Sequence, residues 1–135
     1  MRRIGAGTAV LLVALLGGCS EGSVARDTYR GLPPGVEVEG PVLSPEPMLT
    51  WLEDGAAFAI TTWGSSSCPP VAVETESDRQ SVTVVFEDSD NDACTADLGP
   101  TSHEFDVTDS VADDPSVSAR FRSGTTERTY SLTSP

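Results

Sequence analysis

The chain has no lysine, a single histidine, three cysteines and few aromatic residues, 6% of its 135 positions. Each shortage removes a class of explanation. Without lysine, eight arginines face 21 Asp and Glu, and the formal net charge is −13. A surface of that sign repels phosphate backbones and anionic headgroups, so no nucleic acid is expected as a partner. Because His103 is the only histidine, every histidine-dependent mechanism must run through it. The cysteines, Cys19, Cys68 and Cys94, show none of the close C-x-x-C spacing of thiolate metal sites. One long apolar run exists, Ile4 to Leu16, and it is shorter than the roughly 18 to 20 residues of a spanning helix. The mature chain is therefore expected not to cross a membrane. Internal repeats and long helical periodicity are both missing, which leaves little room for a solenoid or a helical bundle.

What is present at the start is the layout of an export signal. Met1-Arg2-Arg3 supplies positive charge, Ile4 to Leu16 the apolar stretch, and Gly17-Gly18 small residues before a cysteine. Leu16-Gly17-Gly18-Cys19 resembles the lipobox of bacterial lipoproteins, with Gly at the position before last where Ala or Ser is commoner. The resemblance implies that the Cys19 thiol carries diacylglycerol, that residues 1–18 are removed, and that fatty acyl chains of the palmitate kind hold the protein at the outer face of the cytoplasmic membrane. Each buried CH₂ contributes about 0.8 kcal/mol to such an anchor. Loss of Arg2 and Arg3 with the signal takes the net charge from −13 to −15, so lipid rather than charge must supply the attachment. Richness in Ala, Gly, Asp, Thr and Val without lysine resembles the usage of GC-rich actinobacterial genomes.

Once Cys19 is lipidated, Cys68 and Cys94 are the remaining thiols, and they lie in an oxidising compartment where a disulfide is the expected state. A soft-metal site of Cys68, Cys94 and His103 is the alternative. Residues 19–47 are rich in Gly, Ser and acids and contain Pro33, Pro34, Pro41, Pro45 and Pro47. That spacing forbids a helix, leaves at most a short edge strand at Val36 to Glu39, and reads as a flexible tether.

From Met48 to Pro135 the pattern has period two. An Asp54-Gly55 turn sets Trp51 against Phe58 and Leu49 against Ile60. A loop over Ser77 to Gln80 sets Val73 against Val84 and Val71 against Phe86. A turn at Ser123-Gly124 sets Val117 beside Tyr130 and Arg120 against Glu127. His103 to Val107 supplies one more strand before the acidic stretch Asp109 to Asp114. The expectation is an all-β domain: an antiparallel seven-stranded β-sandwich, immunoglobulin-like or a small barrel. Sequential antiparallel strands put the loops holding Cys68 and Cys94 at one end, which supports the bridge.

Three constellations carry candidate chemistry. Asp88, Asp90 and Asp92 alternate as the opening ligands of a calcium loop do, but Ala93 stands where an EF-hand needs Gly and Gly99 where it needs Glu. A solvated acidic loop is the simpler reading, with a calcium-binding domain kept as an alternative. Ser65, Ser66 and Ser67 follow Gly64, yet no second Gly completes a nucleophile elbow, and nothing pairs a serine with His103 for a hydrolase. The third is the pair of loops: Trp63, Ser65, Ser66 and Ser67 beside Cys68, and Asp90, Asp92 and Asp97 about Cys94.

The segments Trp63-Gly64-Ser65-Ser66-Ser67-Cys68-Pro69-Pro70 and Cys94-Thr95-Ala96-Asp97 resemble a recurrent group of small actinobacterial cell-envelope lipoproteins that share them. The resemblance covers the lipobox and roughly residues 48–100, and implies no activity, cofactor or catalytic residue. The expectation is a non-enzymatic, membrane-anchored module without cofactor that presents the fastened loop end to an envelope protein, a peptide or a wall component.

Overall fold

The structure is a computed structural model that describes residues 22–40 and 46–133. The signal, Cys19 and the segment 41–45 lie outside the described residues. Among these residues no helix is long and apolar enough to cross a membrane.

The described residues form eight strands: β1 (Asp27–Arg30), β2 (Met48–Leu52), β3 (Ala57–Gly64), β4 (Val71–Ser77), β5 (Ser81–Glu87), β6 (Gly99–Asp106), β7 (Ser116–Ser123) and β8 (Thr126–Leu132). They build two four-stranded sheets, ordered β1-β6-β3-β2 and β4-β5-β7-β8. Neither closes into a barrel. Alternation along each strand gives both sheets an apolar face, and Leu49, Phe58, Ile60 and Phe105 of the first meet Ala72, Val82, Val84, Phe86, Val117 and Ala119 of the second in one core. Phe58 stacks on Phe105 at 5.3 Å, and Phe86 stacks on Phe121 at 4.9 Å.

The first hairpin has the expected register, with Trp51 opposite Phe58 and Leu49 opposite Ile60. Its turn is wider than a two-residue loop: Leu52 opposite Ala57 is the last pair, and Glu53, Asp54 and Gly55 all take positive φ. The second hairpin departs from expectation. The Asp78 carboxylate accepts hydrogen bonds from the amides of Gln80 and Ser81, both at 2.8 Å, and tightens the turn to Arg79-Gln80. A bulge between Ala72 and Glu74 shifts the strand again, so Phe86 faces Ala72 rather than Val71, and Val84 faces Thr75 rather than Val73. In the third hairpin the turn is Gly124-Thr125, with Gly124 at φ 56°. Val117 therefore faces Leu132, and Glu127 lies opposite Arg122. Because the register moved by two residues, every side chain kept its face. Arg120 still reaches Glu127 diagonally, at 3.7 Å, while Arg122 reaches it at 3.3 Å.

Two larger features differ from the sequence reading. Among the described residues there are eight strands rather than seven, and the extra one comes from the stretch expected to be a tether. β1 pairs with β6 from Asp27 opposite Glu104 to Arg30 opposite Thr101. Around it, the Val24 amide donates to the Ala72 carbonyl at 2.8 Å and the Arg26 amide to that of Glu104 at 2.8 Å. The Arg26 guanidinium binds Glu53, Glu104 and Asp106. Pro33 is fully buried, and the Ser102 hydroxyl, itself paired with Thr61, donates to the Gly31 carbonyl at 2.7 Å. Residues 22–36 thus belong to the domain. The edge strand is Asp27–Arg30 and not Val36 to Glu39, which follow a turn closed by the Val36 amide on the Pro33 carbonyl. The other difference is that β5 and β7 run parallel. After β5 the chain crosses to the first sheet as β6 and returns, so the strands are not antiparallel throughout.

Candidate functional site

Two loops cross between the sheets at one end, β3 to β4 through Ser65 to Pro70 and β5 to β6 through Asp88 to Leu98. Cys68 and Cys94 join them in a disulfide with their Cα atoms 5.4 Å apart. The bridge is reinforced by polar contacts. The Ser67 hydroxyl accepts from the Thr95 amide at 2.9 Å, and the Asn91 amide group donates to the Ser67 carbonyl at 2.7 Å. The hydroxyls of Ser65 and Ser67 each lie 3.1 Å from that of Thr95. Asp97 accepts from the Ser66 amide at 3.1 Å and from the Thr95 hydroxyl. Hydrogen bonds from Ser66 and then Thr95 hold the Asp97 carboxyl down at about 2.

This network changes the roles given to the loop residues. Ser65, Ser66, Ser67 and Asp97 bond to one another across the bridge, so they position the loops more than they offer free groups to a ligand. Asp90 and Asp92 stay exposed, while Asp88 accepts from the Ser123 hydroxyl at 2.5 Å. Among the described residues, no three His, Cys, Asp or Glu side chains converge where they could hold a metal ion. Cys68 and Cys94 spend their sulfurs on each other, so the soft-metal reading with His103 is corrected.

His103 is a core residue. It is 1% exposed, lies edge-on to Phe86 at 5.0 Å, and its Nε2 is 3.2 Å from the Thr62 hydroxyl. Burial pushes its pKa down to about 4, so the ring is neutral at ordinary pH. Among the described residues its Nδ1 has no partner, and the structure joins it to none of the three loop serines.

Trp63 occupies the place that matters most. At the end of β3 it lines a groove of about 680 Å³ with the disulfide, Pro70, Pro47 and two aromatic residues of the last hairpin, Phe121 and Tyr130. Arg128 and Asp88 stand on its rim with opposite charges. Phe121 meets the Tyr130 ring edge-on at 5.8 Å, and its other face stacks on Phe86, so the aromatic wall continues from the core. Sequence reasoning named Trp63 but missed Phe121, Tyr130 and Arg128. Their signal was parity: Phe121, its partner Arg128, and Tyr130, the partner of Ala119, share the inner face at the end of the sheet, beyond the large residues that fill the core. A hollow of about 850 Å³ at the other end is lined by Trp51 and four aspartates, Asp54, Asp109, Asp113 and Asp114. Val107 and Val111 share that lining, but its charged groups are all of one sign and Trp51 is its one aromatic residue.

Compared with protein-family models, with curated proteins and with solved structures, the chain matches none.

Proposed function

We propose that this protein is a membrane-anchored cell-envelope lipoprotein that acts without catalysis, by binding an envelope protein, a peptide or a wall component in the groove between Trp63 and the β7–β8 hairpin. In this reading the two sheets serve as a sandwich, loosely of immunoglobulin kind, that holds one loop end rigid. The observation that carries it is the groove itself. Trp63, Phe121 and Tyr130 offer amphipathic rings with few rotors, the disulfide fixes one wall, and Arg128 and Asp88 offer one charge of each sign for orientation. Rigid aromatic walls lose little entropy on binding, which is why such surfaces hold extended or ring-shaped ligands. Export and lipidation at Cys19 rest on the signal-like residues 1–18, and membership of the actinobacterial group rests on the Trp63 to Pro70 and Cys94 to Asp97 segments.

Neither the calcium nor the hydrolase reading gains an observation, since Asp88, Asp90 and Asp92 do not converge and His103, whose Nε2 lies by the Thr62 hydroxyl, is joined to no loop serine. Site-directed photocrosslinking in the native envelope tests the proposal. A benzophenone side chain at Thr126, on the groove, should give discrete adducts that Trp63→Ala and Tyr130→Ala abolish. Adducts unaffected by both variants, or the same adducts from a benzophenone at Thr75 on β4, refute it.

A further inference from the structure

The N-terminal segment leaves the domain at a defined place. The Val24 amide is bonded to the Ala72 carbonyl of β4, Ala25 packs against the core, and β1 forms the edge of the first sheet. The chain therefore emerges between the β1 and β4 edges. Ser23 lies there in a cavity of about 400 Å³ with Pro69, Pro70 and Val71. The aromatic groove lies towards the opposite edges: Thr126, Arg128 and Tyr130 belong to β8, and Pro47 immediately precedes β2. Pro70 and Ser89 line both hollows and separate them.

Chain length then fixes the geometry. From Cys19 to Val24, the first residue with a backbone bond among those described, there are five steps, which span at most about 18 Å fully extended. A free tether of residues 20–47 would instead have a root-mean-square reach of about 30 Å, and a far greater extended length. From this we infer that the lipid on Cys19 holds the β1–β4 edge of the domain against the bilayer surface and turns the aromatic groove on the β2–β8 edge away from it. Crossing a four-stranded sheet adds about 14 Å at the usual strand spacing, so the far edge stands clear of the headgroups. Charge does not supply this attachment, because a mature charge of −15, the −13 of the whole chain less Arg2 and Arg3, is repelled by an anionic surface; the lipid does. The inference rests on the reading of Cys19 as the lipidated residue.

The full chain, purified after export and reconstituted in phosphatidylcholine vesicles, provides the test. With Cys68 and Cys94 bridged and Cys19 acylated, a new cysteine is the only free thiol, so Asp27→Cys and Thr129→Cys can each take a nitroxide. Both positions are exposed, on β1 and β8. Relaxation by a gadolinium chelate on the lipid headgroups falls steeply with distance, and should be several-fold stronger at position 27 than at 129. Inserting a Gly-Ser linker of about 20 residues between Ser20 and Glu21, with a reach of about 25 Å, should abolish the difference. Equal relaxation in the acylated parent, or a difference that survives the insertion, overturns the orientation and leaves the lipoprotein reading standing. Mass spectrometry showing no acyl group on Cys19 overturns both.

Discussion

Replacing Cys68 by serine removes the one covalent tie between the crossing loops, and its cost can be worked from the separation of the partners. The two cysteines are 26 residues apart. In the chain-entropy treatment, opening a loop of that size frees the unfolded state by about 12 cal/mol/K, which is about 3.5 kcal/mol at 25 °C. A domain of this size is expected to have a net stability of only about 5 to 15 kcal/mol, so the change is large. Because the effect acts through the unfolded chain, Cys68→Ser and Cys94→Ser should cost the same, and the double variant should cost no more than either. The hydrogen bonds among Ser65, Ser66, Ser67, Thr95 and Asp97 remain in all three variants and keep the loops together in the folded state. Thr95→Val removes the hydroxyl's contacts with Ser65, Ser67 and the Asp97 carboxylate at this exposed loop end, and should cost about 1 to 3 kcal/mol in addition to the loss of the bridge. Urea unfolding of residues 20–135 reads all of these. Free thiols in the exported protein, a loss below about 1 kcal/mol, or a double variant as costly as the sum of the singles refutes the reasoning.

Other outcomes follow from the core and its edges. Phe86→Ala removes a fully buried ring that touches His103 and Phe121, and calorimetry should record a loss of about 3 to 5 kcal/mol. His103, with a folded pKa of about 4 against 6.5 when free, stays neutral in the folded state while the unfolded chain takes up a proton. Its contribution is therefore complete above pH 6.5 and is lost as the pH falls towards 4, by about 3 kcal/mol in all. Urea midpoints measured across that window should flatten in His103→Gln, and an unchanged slope contradicts the assignment. Asp97, lowered from 3.8 to about 2, acts in a separate window: its contribution is present above pH 3.8 and is lost between 3.8 and 2. Arg26→Ala should speed hydrogen exchange in Asp27 to Gly31 while leaving β7 and β8 unchanged, since its three carboxylate partners all lie on or beside the first sheet.

Legibility in the sequence followed the locality of each determinant. The Leu49 to Ile60 hairpin could be read because Asp54 and Gly55 tolerate the left-handed backbone its turn requires. The other two hairpins kept most of their residues but lost register. Asp78 bonding forward to Gln80 and Ser81 shortens one turn, and the bulge beside Val73 is invisible to alternation. The bridge was legible because it depends on cysteine count and on which loops share an end. β1 was not, because four residues of weak pattern stand just before a proline-rich stretch and gain their stability from β6 and from the three partners of Arg26. Nor could alternation show that β5 and β7 run parallel, since that depends on how the chain crosses between sheets. The groove was half legible: Trp63 stood beside a cysteine, whereas Phe121 and Tyr130 reach it only through the pairing of distant strands.

The central claim is that the aromatic groove is the binding surface, and the emission of Trp63 reports on it directly. In a Trp51→Phe background Trp63 is the only tryptophan, and it lines the groove half-exposed. On titration with the purified partner identified by crosslinking at Thr126, the account predicts a saturable blue shift of that emission, lost in Tyr130→Ala. A partner that binds, as judged by calorimetry, while the Trp63 spectrum stays unchanged contradicts it.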